Sequence, residues 1–136
     1  MSAIKITRTH WTEEAARVLA LSIIGAPCFT VEDYRRMIED DPMLTGLYRV
    51  SEGGRIVGFA VLRVEMYSGG AEGVILAAAG RLPGTDLTAA LLDTMEKKFA
   101  GVKGFCIATA RPGLKKKLEA QGYSLTHYVL RKPACA

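Results

Sequence analysis

Residues 73–79 are an unbroken apolar run of strand length, and residues 87–99 repeat Leu87, Leu91, Met95 and Phe99 every fourth position with Leu92 alongside. The first run has no polar alternation, which suits a strand buried on both faces. The second has the period of an amphipathic helix. Between them lies Gly80-Arg81-Leu82-Pro83-Gly84-Thr85-Asp86. A strand that turns through a glycine loop into a helix restricts the chain to folds in which a helix packs back on a sheet. It also creates an anion cradle, because the first helical N–H groups have no internal partner and the helix dipole is positive there. Asp86 introduces a competing role. Its carboxylate can cap its own helix with the same N–H groups that an anion needs.

The rest of the chain supplies alternating elements. Residues 4–7 read as a first strand. Thr12 caps a helix with Glu13 and Glu14 in its first turn, which ends at Gly25-Ala26-Pro27. Thr30-Val31-Glu32-Asp33 opens a second helix with a capping box, and Val31, Tyr34, Met37 and Ile38 form its apolar stripe. Residues 47–51 and 55–67 make two strands around Gly53-Gly54. On the longer strand Arg63 and Glu65 share a face and pair. Residues 72–79 follow as the fourth strand, then the helix, then a fifth strand over 104–110. Arg111-Pro112-Gly113 starts a last helix that runs to Ala120, and residues 124–131 alternate as a sixth strand. The order β-α-α-β-β-β-α-β-α-β predicts an α/β (α+β) fold, a mixed and mostly antiparallel central sheet with helices on both faces. One domain over residues 1–136 is expected, with 133–136 a loose tail.

Composition narrows the function classes. The chain has 136 residues, of which 49% are hydrophobic and 24% charged, an ordinary globular balance. It has no run of about 20 apolar residues, so no membrane span is expected. The start, residues 1–8, lacks the apolar core of a signal peptide. A net charge of +4 with one basic run, Lys115-Lys116-Lys117, and no interleaved aromatics disfavours nucleic acid as a partner. Cys28, Cys106 and Cys135 have no metal-ligand spacing, and no metal is expected. Cys28 and Cys106 read as core residues, Cys135 as an exposed tail residue, and the setting as reducing and cytoplasmic. His10 and His127 read as surface histidines.

This order, with a glycine loop after the fourth strand, resembles the GNAT superfamily of acetyl-CoA-dependent N-acyltransferases over residues 3–132. The length is similar to that of small GNAT-like proteins of bacteria and their prophages. The family loop is Q/R-x-x-G-x-G/A. Arg81 and Gly84 match its first and fourth positions, while Asp86 replaces the small residue at the sixth. A second family pattern, N-x-x-A-x-x-L-Y before Gly-Phe, meets Gly122-Tyr123 at its end but has Arg111 at the Asn position and Leu118 at the Tyr position.

The resemblance implies acetyl-CoA as co-substrate and a small-molecule or peptide amine as acceptor. It places the diphosphate on the backbone of Gly80 to Thr85, that is Arg81, Leu82, Pro83, Gly84 and Thr85 after the glycine, with Asp86 closing the site; Arg81 and one or more of Lys115 to Lys117 attract the phosphates, and Arg111 binds a phosphate or an acidic neighbour. It places the thioester carbonyl at a backbone N–H among Leu76, Ala77 and Ala78, where the strands splay. Glu72 falls at the place of the family's general base, with Glu65 as a second candidate. Leu118 cannot donate a proton, so Tyr123, Tyr128 or water would protonate the leaving thiolate. Tyr34 and Met37 fall on the helix that lines the acceptor pocket, and a homodimer through the last strands is implied. A second hypothesis stays open. Asp86, Arg111 and Leu118 all depart at cofactor or catalytic positions, which suits a GNAT-fold binding module that does not use acetyl-CoA.

Overall fold

The computed structural model describes residues 3–132 and 134. Five strands form one sheet in the order β1-β2-β3-β4-β5: Ile4–Thr9, Thr45–Glu52, Arg55–Tyr67, Gly70–Gly80 and Gly104–Ile107. Neighbours are antiparallel except β4 and β5, which are parallel. The β2–β3 turn works because Gly53 and Gly54 both adopt positive φ (57° and 80°), the backbone that a two-residue turn matching the strand twist requires.

Helices cover both faces, as the order of elements predicts. On one face lie α1 (Glu13–Leu19), a 3-10 turn (Ala20–Ser22) and α2 (Val31–Asp40). Their core joins Ala15, Leu19 and Tyr34 to Leu47, Phe59, Val61 and Ala77 of the sheet. On the other face α3 (Leu87–Lys98) and α4 (Pro112–Ala120) bury Leu91, Leu92, Met95 and Leu118 against Tyr48, Ala60, Leu62 and Ile75. The expected caps form. Thr12 Oγ1 accepts from the Ala15 N–H at 3.1 Å, and Asp33 Oδ2 accepts from the Thr30 N–H at 2.7 Å.

Three expectations need correction. The sixth strand, residues 124–131, does not form. The stretch has no regular structure, and Leu125, Tyr128, Val129 and Leu130 are exposed. Alternation marks a segment able to be a strand, but a strand exists only with a partner. Secondly, β5 ends at Ile107 rather than at residue 110, because its pairing with β4 stops at Ile75↔Ile107. Thirdly, Cys28 is exposed in the loop before α2, where its neighbour Phe29 packs on the core instead, and of the described cysteines Cys106 alone is partly buried. Cys135 lies outside the described residues. No described helix is long and apolar enough to cross a membrane.

Candidate functional site

The site begins with an irregularity in β4. Val61 lies opposite Ala77 and Leu62 opposite Ile75, so Leu76 has no partner on β3 and forms a bulge. An extra residue bends the strand and increases its local twist. The last β4–β5 pair, Ile75↔Ile107, falls at the same level. Beyond it β4 continues to Gly80 while β5 turns away into α4. The two strands therefore open from the bulge onward.

The opening leads into a cavity of about 330 Å³, which Val50 of β2 and Gly58 and Phe59 of β3 also line. Ala78, Ala79 and Gly80 form its β4 wall, and Ile107 marks the end of β5. Thr88 of α3 and Gly113 of α4 bring two helix N-termini to the same space. In α3 the Asp86 carboxylate accepts from the Ala89 N–H at 3.1 Å, and the Asp86 carbonyl accepts from Ala90. Leu87 and Thr88 are then the first-turn amides that the cap leaves unused. In α4 the N-cap residue Arg111 makes no side-chain cap, and Pro112 occupies the first turn with no N–H to satisfy. Arg111 and Lys117 also line the cavity, so its polar end is cationic while its walls are largely apolar.

The loop itself is less available than the sequence pattern implies. The Arg81 N–H donates to the Val57 carbonyl at 2.9 Å, and the Thr85 N–H donates to Leu82 at 3.1 Å. Leu82 is buried and anchors the loop, while Arg81, Pro83, Gly84, Thr85 and Asp86 are exposed. None of the six lines the cavity, whereas Ala78 and Arg111 do. Asp86 is the helix cap that its position allowed. It also faces Lys117 at 3.8 Å, which offsets its charge. Sequence reading missed Thr88 and Gly113. The signal for the second helix end was present in Arg111-Pro112, a helix start with no capping side chain.

No family model matches the chain, and no curated protein matches it. Solved structures do. The chain superimposes on a transcriptional regulator from Bacillus halodurans C-125 with a TM-score of 0.73 at 18% identity, covering 97% of this chain and 100% of the other. It superimposes on a ribosomal-protein-alanine N-acetyltransferase from Brucella melitensis biovar Abortus 2308 with a TM-score of 0.67 at 18% identity, covering 96% and 99%. With AAC(6')-Iy, solved with the bisubstrate analogue CoA-S-monomethyl-acetylneamine, the TM-score is 0.68 at 16% identity, covering 99% and 100%. The chain has the GNAT fold.

Within this GNAT fold the acid–base candidates separate by their surroundings. Glu65 and Glu72 lie directly opposite each other on β3 and β4. Arg63 Nε donates to Glu65 at 2.7 Å, and Arg63 also reaches Asp41 at 3.2 Å and the Thr45 hydroxyl. These acidic partners raise the Arg63 pKa, led by the Glu65 hydrogen bond. Among the described residues no cation lies within ion-pair distance of Glu72. Glu72 is half-buried, in a small groove beside Tyr67 and Lys103. Tyr123 packs against the α3–α4 core with its hydroxyl buried and unpartnered. Burial first, then Glu96 and Cys106, push its pKa up to about 12. Tyr123 is not among the residues that line the cavity. Tyr128, His127 and His10 are exposed.

Proposed function

We propose that this protein is an acyl-CoA-dependent N-acyltransferase that moves an acetyl or other short acyl group to an amine by direct attack. The observation that carries this reading is the cavity at the open end of β4 and β5. Ile75 and Ala78, on either side of the bulge, line it, and it ends at two helix N-termini flanked by Arg111 and Lys117. Such a cavity suits a ligand with an apolar arm and an anionic end. The arm of acyl-CoA would lie along Ala78 to Gly80. Its diphosphate would meet the free amides of Leu87 and Thr88, with Arg111 and Lys117 beside them. The thioester would then lie at the bulge, where a backbone N–H among Leu76, Ala77 and Ala78 stabilises the oxygen as it becomes anionic.

The amine nitrogen attacks the thioester carbonyl carbon, the new C–N bond forms, and the C–S bond breaks. Glu72 takes the amine proton. Glu72 and Leu76 are four positions apart, about 13 Å along a strand, so the proton moves through intervening water. Tyr123, away from the cavity and with a raised pKa, is a poor acid, so the leaving thiolate takes its proton from water. The acceptor would be a small-molecule or peptide amine approaching from the face that carries Glu65 and Glu72. A second copy pairing along residues 124–131 is the homodimer that four exposed apolar side chains in that stretch favour.

Acetyl-CoA at a concentration 100 times its Kd should stabilise the fold by about 2.7 kcal/mol. That raises the melting temperature by roughly 5–10 °C for a domain of this size. An unchanged melting temperature at millimolar acetyl-CoA would remove the acyltransferase reading. Asp86 provides a finer check. Asp86→Asn keeps a capping side chain but removes the carboxylate beside the phosphate site. CoA affinity measured by calorimetry is expected to rise by about 3- to 10-fold, the effect of one screened like charge at a partly exposed site.

A further inference from the structure

The cavity opens at an end of the sheet that is rich in cations. The Gly53-Gly54 turn joins β2 to β3 at the end where β4 finishes, since Gly58 pairs with both Val50 and Gly80. Arg55 starts β3, Arg81 follows β4, and Arg111 and Lys115 to Lys117 belong to the start of α4. All six are exposed. Asp86 and Glu119 each answer one lysine, Lys117 at 3.8 Å and Lys115 at 3.1 Å, and Glu52 stands at the turn. Among the described residues no carboxylate lies within ion-pair distance of Arg55, Arg81, Arg111 or Lys116. Arg111 and Lys117 line the cavity, while Arg55, Arg81, Lys115 and Lys116 lie outside it.

A cavity of about 330 Å³ is at the small end of ligand sites. It has the size for an acyl-bearing arm, so whatever the arm hangs from stays outside, against these cations. CoA brings one 3′-phosphate to that surface, which meets one or two of them. The four outer cations are spread over β3, the loop after β4 and α4, and engaging them together takes an anionic surface. No aromatic residue stands among them for base stacking, which disfavours nucleic acid. An acidic protein face fits, and Ile56, 38% exposed beside Arg55, offers it an apolar contact. We propose that this protein takes its acyl group from an acidic carrier protein, whose 4′-phosphopantetheine arm enters the cavity while the carrier docks on Arg55, Arg81, Lys115 and Lys116. This rests on the acyltransferase reading and names the donor for it. The arm has the thioester and one phosphate in common with CoA, so Arg111 and Lys117 serve either donor. The acceptor nitrogen bonds to the acyl carbon and the C–S bond breaks. The carrier then leaves with its arm as a free thiol, the thiolate having taken a proton from water. Opposite charge on the two proteins speeds their encounter and fixes the docked register.

The test titrates an acidic acyl carrier protein with an acetylated arm into the full chain by calorimetry, at about 50 and about 300 mM salt. The acetylated carrier is expected to bind about tenfold more tightly than the same carrier without its arm, and to lose about tenfold in affinity at the higher salt. Arg55 lies outside the cavity, so Arg55→Glu should weaken carrier binding about fivefold and leave acetyl-CoA affinity within about twofold. An unchanged melting temperature reports that this variant is folded. Lys116→Glu should likewise cost more with the carrier than with acetyl-CoA. With an amine that the protein accepts, kcat/KM for the acetylated carrier should exceed that for acetyl-CoA about tenfold at low salt. Carrier binding that is indifferent to the arm, or unchanged in Arg55→Glu, overturns the proposal. Binding of acetyl-CoA without binding of the carrier also overturns it and leaves the transferase reading standing. If neither donor binds, both fail. A single-stranded oligonucleotide that binds more tightly than the carrier at the same salt overturns it in favour of nucleic acid.

Discussion

Glu72→Gln is expected to lower kcat about 100-fold and leave the KM for acetyl-CoA unchanged, the signature of losing a general base that does not touch the cofactor. Glutamine has the same shape and still accepts a hydrogen bond, but it cannot take the proton that the attacking amine must lose. The control lies directly across the sheet. Glu65 faces Glu72 in register, yet Arg63 holds its carboxylate at 2.7 Å and ties it to Asp41 and Thr45. A carboxylate oxygen already held by a guanidinium is less free to meet the attacking amine. Glu65→Gln should therefore change turnover much less than Glu72→Gln. Steady-state kinetics on the two variants, with any amine the protein accepts, decides the assignment. A larger loss from Glu65→Gln reverses the roles of the two carboxylates.

The contrast between these glutamates shows what the sequence could and could not reveal. The Arg63–Glu65 pair was legible because alternate residues on a strand share a face. That Glu65 and Glu72 meet across the sheet was not, because their register is set by how many residues the turn between Tyr67 and Gly70 takes up. The bulge was half legible. Residues 76–78 were marked as the place where strands part, but no residue type announces that Leu76 loses its partner. The framework read well because its signals are local, such as the Thr12 cap, the Gly53-Gly54 turn and the leucines of α3. The strand expected over residues 124–131 failed for the opposite reason. Its alternation is local, whereas a strand needs a neighbouring chain that the sequence cannot name. Asp86 was legible as a choice between cap and anion site, and the structure shows that capping consumes the Ala89 amide while sparing those of Leu87 and Thr88. The part played by α4 was obscure because it arises from the convergence of two helix ends distant in sequence.

Gly80→Ala is expected to destabilise the fold by about 2–4 kcal/mol, the sum of an overpacked contact and a lost backbone hydrogen bond. Gly58 and Gly80 are partners across β3 and β4. A Cβ on Gly80 would lie 2.5 Å from the Val57 carbonyl oxygen, and one on Gly58 would lie 2.7 Å from that of Ala79. Both obstacles are backbone, which cannot rotate aside as a side chain can. The same Val57 oxygen accepts the Arg81 N–H that starts the loop into α3. Pushing the strands apart here breaks that bond and displaces the amides of Leu87 and Thr88 from the cavity. Gly84 provides the comparison. It has φ of 78° with open space around it, so Gly84→Ala costs only the left-handed backbone penalty, about 1–2 kcal/mol. Urea unfolding of both variants measures the difference, and calorimetry with CoA gives it a functional reading. Gly80→Ala should lose CoA affinity even at temperatures where it is fully folded, because it moves the α3 amides. Gly84→Ala should keep more of that affinity, because Leu82 still anchors the loop and Asp86 still caps the helix. Equal losses of CoA affinity in the two folded variants would show that the diphosphate rests on the loop, as the family pattern implies, and not on the helix ends.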